Sequence, residues 1–192
     1  CRVHHSLGLP ADCVVYDVSN ACLGILTGVV QIANQIELGQ IRAGLVVGAE
    51  LGRDLVENTV TRLNQDAAIT RRSVKHLVAS LTIGSASAAV LLCHRELSKT
   101  GNRLLGGAAV ARTSGHDLCK SDGMTPFMET DSEQLMQQGI ATGAKTFQKL
   151  LNHLAWGPGD IDRTICHQVG SAHRKLLFET LELDPTNDYV TY

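Results

Sequence analysis

A chain of 192 residues with 44% hydrophobic content can bury an ordinary domain core, but only 4% of it is aromatic, so that core must be built from Ala, Val, Leu and Ile. Eighteen glycines suit tight strand–helix joints and close helix–sheet packing. A formal net charge of −2 argues against a nucleic-acid-binding field, no apolar run approaches the ~20 residues that span a bilayer, and the start lacks a signal-peptide pattern.

Six cysteines stand at positions 1, 13, 22, 93, 119 and 166, mostly in apolar runs and without a C-x-x-C pair. That usage fits a reduced, cytoplasmic protein rather than a disulfide framework. Cys93-His94, Cys166-His167 and His4-His5 are adjacent pairs, whereas zinc-ligand pairs have spacers, so no metal site is expected.

In chain order, the β-branched run 13–18, opening at Cys13 and closing at Val18, reads as a buried strand. A small-residue turn follows. A helix is predicted over 22–38, with Leu23, Leu26, Val29, Val30, Ala33 and Ile36 facing a sheet and Gly39 as its stop. Residues 43–50 read as a strand. Residues 53–77 are polar and mixed, a loop with a short helix, and carry a basic cluster of Arg71, Arg72 and Lys75. Residues 86–93 and 104–112 read as strands around a polar turn, and 113–129, with Gly115, Gly123 and Pro126, as a loop. A second long helix is predicted over 131–153, with Leu135, Ile140, Ala144, Phe147 and Leu151 inward. After the break at 157–159, residues 165–170 read as a short strand ending at a His, followed by a helix from Ser171 to Leu181. Alternating strands and helices argue for an α/β sheet with covered faces.

Two of these joints carry chemistry. Cys22, in Asp17-Val18-Ser19-Asn20-Ala21-Cys22-Leu23-Gly24, stands at a strand-to-helix turn at the positive end of a helix, which favours the thiolate. A nucleophile on such a turn is presented to a pocket, a geometry suited to covalent acyl transfer. His167, in Ile165-Cys166-His167-Gln168-Val169-Gly170, ends its strand beside a glycine and can project likewise. A Cys and a His are the minimum set for a thioester-handling enzyme. Asp17 and Asn20 are expected to brace the Cys22 turn through backbone hydrogen bonds, and Glu50 to make a structural one. His173 is expected to be exposed or to pack on its helix, and His76, His116 and His153 to lie on the surface.

Together the two motifs resemble the condensing enzymes of the thiolase superfamily, of the 3-oxoacyl-ACP synthase III type. Ala43-Gly44-Leu45-Val46-Val47-Gly48-Ala49-Glu50, the stretch 81–90 and the stretch 104–112 agree with that family in order and spacing. The wording DVSNACLGILTG with HQVGSAH is most similar to the OleA-like branch, which condenses two acyl-CoA molecules head to head. Fatty-acid starter synthases usually carry an Asn soon after the HQ pair, where this chain has Gly170 and Ser171.

The resemblance implies a thiolase-like layered α/β fold (α-β-α-β-α) with duplicated halves, present here in part. Residues 1–102 would be the later part of the first half, with Cys22, and residues 103–192 the earlier part of the second, with His167. It implies Claisen condensation of acyl thioesters through an acyl-Cys22 intermediate, with His167 and a family Asn lying beyond Tyr192 binding the enolate oxygen. It also implies a Glu base from upstream of Cys1. No metal, flavin or nicotinamide is called for. The partners implied are acyl-CoA, an acyl carrier protein as an alternative donor, and a second copy paired through the strand 13–18. The basic cluster itself reads first as a solvated face, with a contact for CoA phosphates or an acidic carrier helix as its other reading. A thioester hydrolase using the same Cys-His pair, or a non-catalytic dimerising piece, are the other readings.

Overall fold

The strongest apolar helical pattern in the chain covers residues 24–37, and the computed structural model, which describes residues 2–121 and 126–190, places a helix there. Cys1, Gly123 and Tyr192 lie outside the described residues. A short helix α1 (Arg2–Ser6) comes first, then a single 3-10 turn (Ala21–Leu23) that leads directly into α2 (Gly24–Glu37). Gly39, at φ +70°, closes α2, and Gln40 N–H donates to Gln35 C=O across the end. Strand β1 (Ala43–Glu50) follows and pairs with β2 (Ala86–Cys93). His94 N–H donates to Arg42 C=O at 2.8 Å, joining the end of β2 to the start of β1, so the two strands run antiparallel.

The face of α2 that meets β1 is set by small residues. Gly44, Val46 and Gly48 alternate along one face of β1 and receive Ile32, Gly28 and Ile25 of α2. A Cβ on Gly44 would lie 2.6 Å from Ile32 Cγ2, and one on Gly48 would lie 2.5 Å from Ile25 Cγ1. The backbone of β1 approaches the helix only because these two positions lack a side chain. Gly48→Ala is therefore expected to destabilise the fold by about 1–3 kcal/mol. Gly139→Ala, with nothing within 4 Å of the new Cβ on a helix, should instead stabilise by roughly 0.5–1 kcal/mol. Urea midpoints of the two variants against the parent check both signs.

The inward face predicted for α2 is only partly right. Ile36 is buried and Val29 and Ala33 are half-buried, but Leu23, Leu26 and Val30 are exposed. The helix is apolar around most of its circumference, so its pattern fits more than one face, and the glycines of β1 decide which one docks.

The chain forms two compact units, one of residues 1–49 and 86–104 and one of residues 50–85 and 105–192. In the second, residues 53–77 are more ordered than expected: α3 (Arg53–Gln65) and α4 (Arg71–Leu77) are both helices. The inward side of α3 is carried by Leu55, Val56, Thr59 and Leu63 rather than by an aliphatic stripe. Thr59 is fully buried and returns its hydroxyl to Leu55 C=O at 2.7 Å. Thr70 and Ser73 form a capping box at the start of α4. The fully buried Ser80 donates to Met128 C=O at 2.8 Å, and Arg62 stacks 4.3 Å from the Phe127 ring centroid.

The predicted loop 113–129 holds a two-residue antiparallel ladder at its end, β3 (Cys119–Lys120) with β4 (Glu129–Thr130), and residues 122–125 lie outside the described residues. The long helix α5 (Ser132–Leu154) is capped by Asp131, whose carboxylate accepts from Gln134 N–H at 3.0 Å; that bond holds the carboxyl below its ordinary range. Ile140 and Leu151 of α5 are buried, Ala144 and Phe147 half-buried, and Leu135 is exposed. α6 (Ser171–Leu181) has the bounds predicted for it and packs on α5 with Phe178 buried.

Three expected strands are not hydrogen-bonded strands in this chain. Residues 104–112 and 13–18 are extended without a ladder among the described residues, and 165–170 has no ladder of its own there, following the parallel bridge of Thr164 with Asp188. A strand-like composition needs a neighbouring strand to complete it, and the described chain offers none at these places.

Candidate active site

Cys22 occupies the middle of the 3-10 turn between the extended run 14–20 and α2. Ala21, the residue before it, has φ +42°, a left-handed conformation uncommon for a residue with a side chain. Such strain persists only where the surroundings over-determine it, and it clusters at functional turns. The surroundings are visible here. Leu23 N–H donates to Asn20 C=O at 2.9 Å, and Asn20 Nδ2 donates to Thr27 Oγ1, one turn into α2, at 2.9 Å. A Cβ on Gly24 would lie 3.6 Å from Val18 C=O, so the helix start passes close to the extended run. The thiol is exposed in the turn that leads into α2, and the next two N–H groups are already donated, from Leu23 to Asn20 C=O and from Gly24 to Ala21 C=O.

Asn20 thus braces the turn, though through its side chain to Thr27 as well as its backbone. Asp17 is exposed and makes no hydrogen bond among the described residues, so its expected bracing role is not seen. Glu50 likewise ends β1 exposed, without the expected structural bond among the described residues.

His167 lies exposed in the extended segment 164–170, in the second unit, whereas Cys22 lies in the first. Both ends of this segment are held. At the front, Thr164 N–H donates to Asn187 C=O at 2.9 Å, and Tyr189 N–H donates to Thr164 C=O at 3.0 Å. At the back, Gly170 has φ +153°, a conformation that strains any side chain, and it turns the chain into α6. Its C=O accepts from Arg174 N–H at 3.0 Å. Beside His167, Gln168 Nε2 donates to Tyr189 C=O at 3.0 Å.

The neighbourhood of His167 is electrostatically uneven. His173, expected to be exposed or helix-packed, is half-buried, and its Nδ1 is buried without a hydrogen-bond partner among the described residues. Burial, then the proximity of His167, pushes its pKa down. Burial pushes the Cys166 thiol up; the Asp188 carboxylate adds to that rise and the Arg174 guanidinium opposes it. Arg174 and Asp188 themselves form a salt bridge at 2.5 Å that no pattern in the sequence announces. The remaining histidines fall as expected for His116 and His153, which are exposed, while His76 is half-buried. Arg71, Arg72 and Lys75 are exposed and form no ion pair among the described residues.

No family model matches the chain. It is 37% identical to an acyl-CoA:acyl-CoA alkyltransferase of Shewanella oneidensis, over 100% of this chain and 57% of that protein. A second protein of the same name, from Xanthomonas campestris pv. campestris, is 31% identical over 95% of the chain and 53% of its own length. The chain thus spans little more than half the length of the curated relatives it matches. Among solved structures, a cysteine-to-alanine variant of Xanthomonas campestris OleA superposes with a TM-score of 0.91 at 28% identity, over 98% of this chain and 54% of that one. The 3-oxoacyl-ACP synthase III, FabH, of Xanthomonas oryzae gives 0.89 at 30% identity, over 98% and 55%. A cysteine-to-serine variant of the OleA protein, with bound lauric acid and lauroyl-CoA, gives 0.88 at 28% identity, over 98% and 55%. The thiolase-like α/β fold expected from the sequence, present in part, is the fold these structures share with it. The chain belongs to the thiolase superfamily, in its OleA-like group.

Proposed function

We infer that the protein is an acyltransferase that joins two acyl thioesters by Claisen condensation through an acyl-Cys22 intermediate. The observation that carries this reading is the Cys22 turn: an exposed thiol after a strained Ala21, at the N-terminal end of α2. The acyl-CoA:acyl-CoA alkyltransferase relatives and the lauroyl-CoA bound by OleA support acyl-CoA as the substrate class.

The Cys22 thiolate attacks the carbonyl carbon of the first thioester. The backbone N–H of Cys22, at the turn into α2, is one donor that stabilises the tetrahedral oxyanion. The CoA thiolate leaves, and the acyl group remains on sulfur. A second acyl thioester then loses its α-proton to a base, or loses carbon dioxide if it is a malonyl thioester. The resulting enolate oxygen accepts a hydrogen bond from His167, which must donate from one ring nitrogen. The enolate carbon attacks the acyl-Cys22 carbonyl, the Cys22 thiolate departs, and a β-ketoacyl thioester is formed. Such a product belongs to fatty-acid or long-chain lipid synthesis. The exposure of Arg71, Arg72 and Lys75 fits a solvated face, and a contact for the phosphates of CoA or an acidic carrier protein is the second reading of that cluster.

The same reading takes the protein as a homodimer paired through residues 13–18. Support comes from the run itself: Val14, Val15 and Tyr16 are exposed on an extended segment without Pro or Lys, an open edge that a twin would cover. Light scattering on the intact protein at micromolar concentration should give twice the protomer mass. A stable monomer would remove the dimer and any base donated across it.

The assay that tests the condensation reading is product analysis. Acyl-CoA alone should yield a β-keto product if the second substrate is a plain acyl-CoA. A requirement for malonyl thioester would move the assignment to starter-synthase chemistry.

A further inference from the structure

The Arg174–Asp188 pair lies outside every step assigned above, yet it joins the elements that hold His167. Asp188 is 2% exposed in its side chain and Arg174 28%, with Nε 2.5 Å from Oδ2. A buried carboxylate is retained only if it is paired, and here the pair links α6 to the segment 187–189. The second arm of the guanidinium donates from a terminal nitrogen to Pro185 C=O at 2.9 Å, and its plane lies 5.0 Å from the Phe178 ring centroid. The guanidinium is thereby fixed by three independent contacts.

Each partner also touches the backbone of the His167 segment. Asp188 forms the parallel bridge with Thr164, three residues before His167. The N–H of Arg174 holds Gly170 C=O, three residues after it. The segment 164–170 therefore hangs between two points that the ion pair ties together. Gln168 Nε2 also donates to Tyr189 C=O, on the same 187–189 segment. Asp188 Oδ1 is buried with no hydrogen-bond partner among the described residues. A carboxylate that leaves one buried oxygen unpaired is poorly chosen for stability alone, because desolvation of that atom is uncompensated.

We propose that Arg174 and Asp188 are positioning residues for His167, a buried clamp that fixes where its imidazole meets the enolate oxygen. The proposal rests on the role given to His167 above. A misplacement of about 1 Å from a change away from the reacting atoms can cost roughly 100-fold in rate. The clamp belongs to the second half-reaction, since His167 is assigned to the enolate and not to acylation of Cys22.

The test uses Asp188→Asn, which keeps volume and one acceptor, and Arg174→Lys, which keeps charge and loses the fork, in the intact protein. Single-turnover acylation of Cys22 by acyl-CoA is followed by intact mass, and condensation is followed from the pre-acylated enzyme. We expect Asp188→Asn to leave acylation within about twofold and to slow condensation by roughly 10- to 100-fold. Arg174→Lys should show the same split at a smaller size. The double variant Arg174→Gln/Asp188→Asn, a neutral pair able to hydrogen-bond, should recover most of the condensation rate. Equal losses in both half-reactions would reduce the pair to a structural role and overturn the proposal, as would unchanged condensation. His167→Ala, run alongside, separates the two readings. If it spares condensation, the role of His167 is wrong. If it removes condensation while Asp188→Asn and Arg174→Lys do not, only the clamp is wrong.

Discussion

Cys22→Ala is expected to abolish covalent acylation of the intact protein by acyl-CoA. Among the described residues no second thiol stands at the start of a long helix. Cys13 is exposed in an extended run, but no helix begins at it. Cys166 adjoins His167, but burial and the nearby Asp188 carboxylate hold it in the thiol form, which is the unreactive one. Among the described residues only Cys22 combines exposure, a strained preceding residue and the start of a 14-residue helix. Intact-protein mass spectrometry after incubation with acyl-CoA reads the result directly. The parent should gain one acyl mass. A Cys22→Ala protein that gains the same mass would remove Cys22 as the nucleophile.

His167→Ala should divide the reaction. Acylation needs the Cys22 thiolate and an oxyanion held by backbone N–H groups, neither of which His167 supplies in this account. Condensation needs a donor to the enolate oxygen, and loss of one such donor costs about 10²- to 10³-fold. Acylation should therefore fall by less than about tenfold while condensation falls by the larger factor. Because Gly170 and Thr164 hold the ends of the segment through backbone bonds, truncating the His167 side chain should not release it. Equal losses in the two half-reactions, measured in single turnovers, would show that His167 serves both or neither selectively.

What could be read from the sequence follows the range of the interactions involved. α5 and α6 carry helical periodicity and punctuation within a few residues, and both were legible, α6 to its terminal residues. α2 was legible as a helix but not in its docking face, because that depends on Gly44 and Gly48 in another element. α3 was missed because its inward side relies on Thr59 and a few aliphatics, with an exposed Arg53–Glu57 pair one turn apart on its surface. The runs 13–18 and 104–112 have strand composition, yet a ladder is a property of two segments, and a single run cannot show whether its partner is present. Cys22 and His167 stood out because each sits at a turn marked by its immediate neighbours, Ala21–Gly24 and Gly170. Arg174 and Asp188 stood out in nothing: fourteen residues apart, one in a helix and one after it, they are related only by the fold.

The central claim is that acyl-Cys22 is captured by a carbon nucleophile and not by water. Incubating the intact protein with one acyl-CoA of defined chain length, and analysing products by mass spectrometry with CoA release measured in parallel, tests it most directly. The account predicts a β-ketoacyl product carrying two acyl chains, with one CoA released for each product formed. Free fatty acid with one CoA released for each acid, and no β-keto product, would contradict it and make the Cys22–His167 chemistry that of a hydrolase.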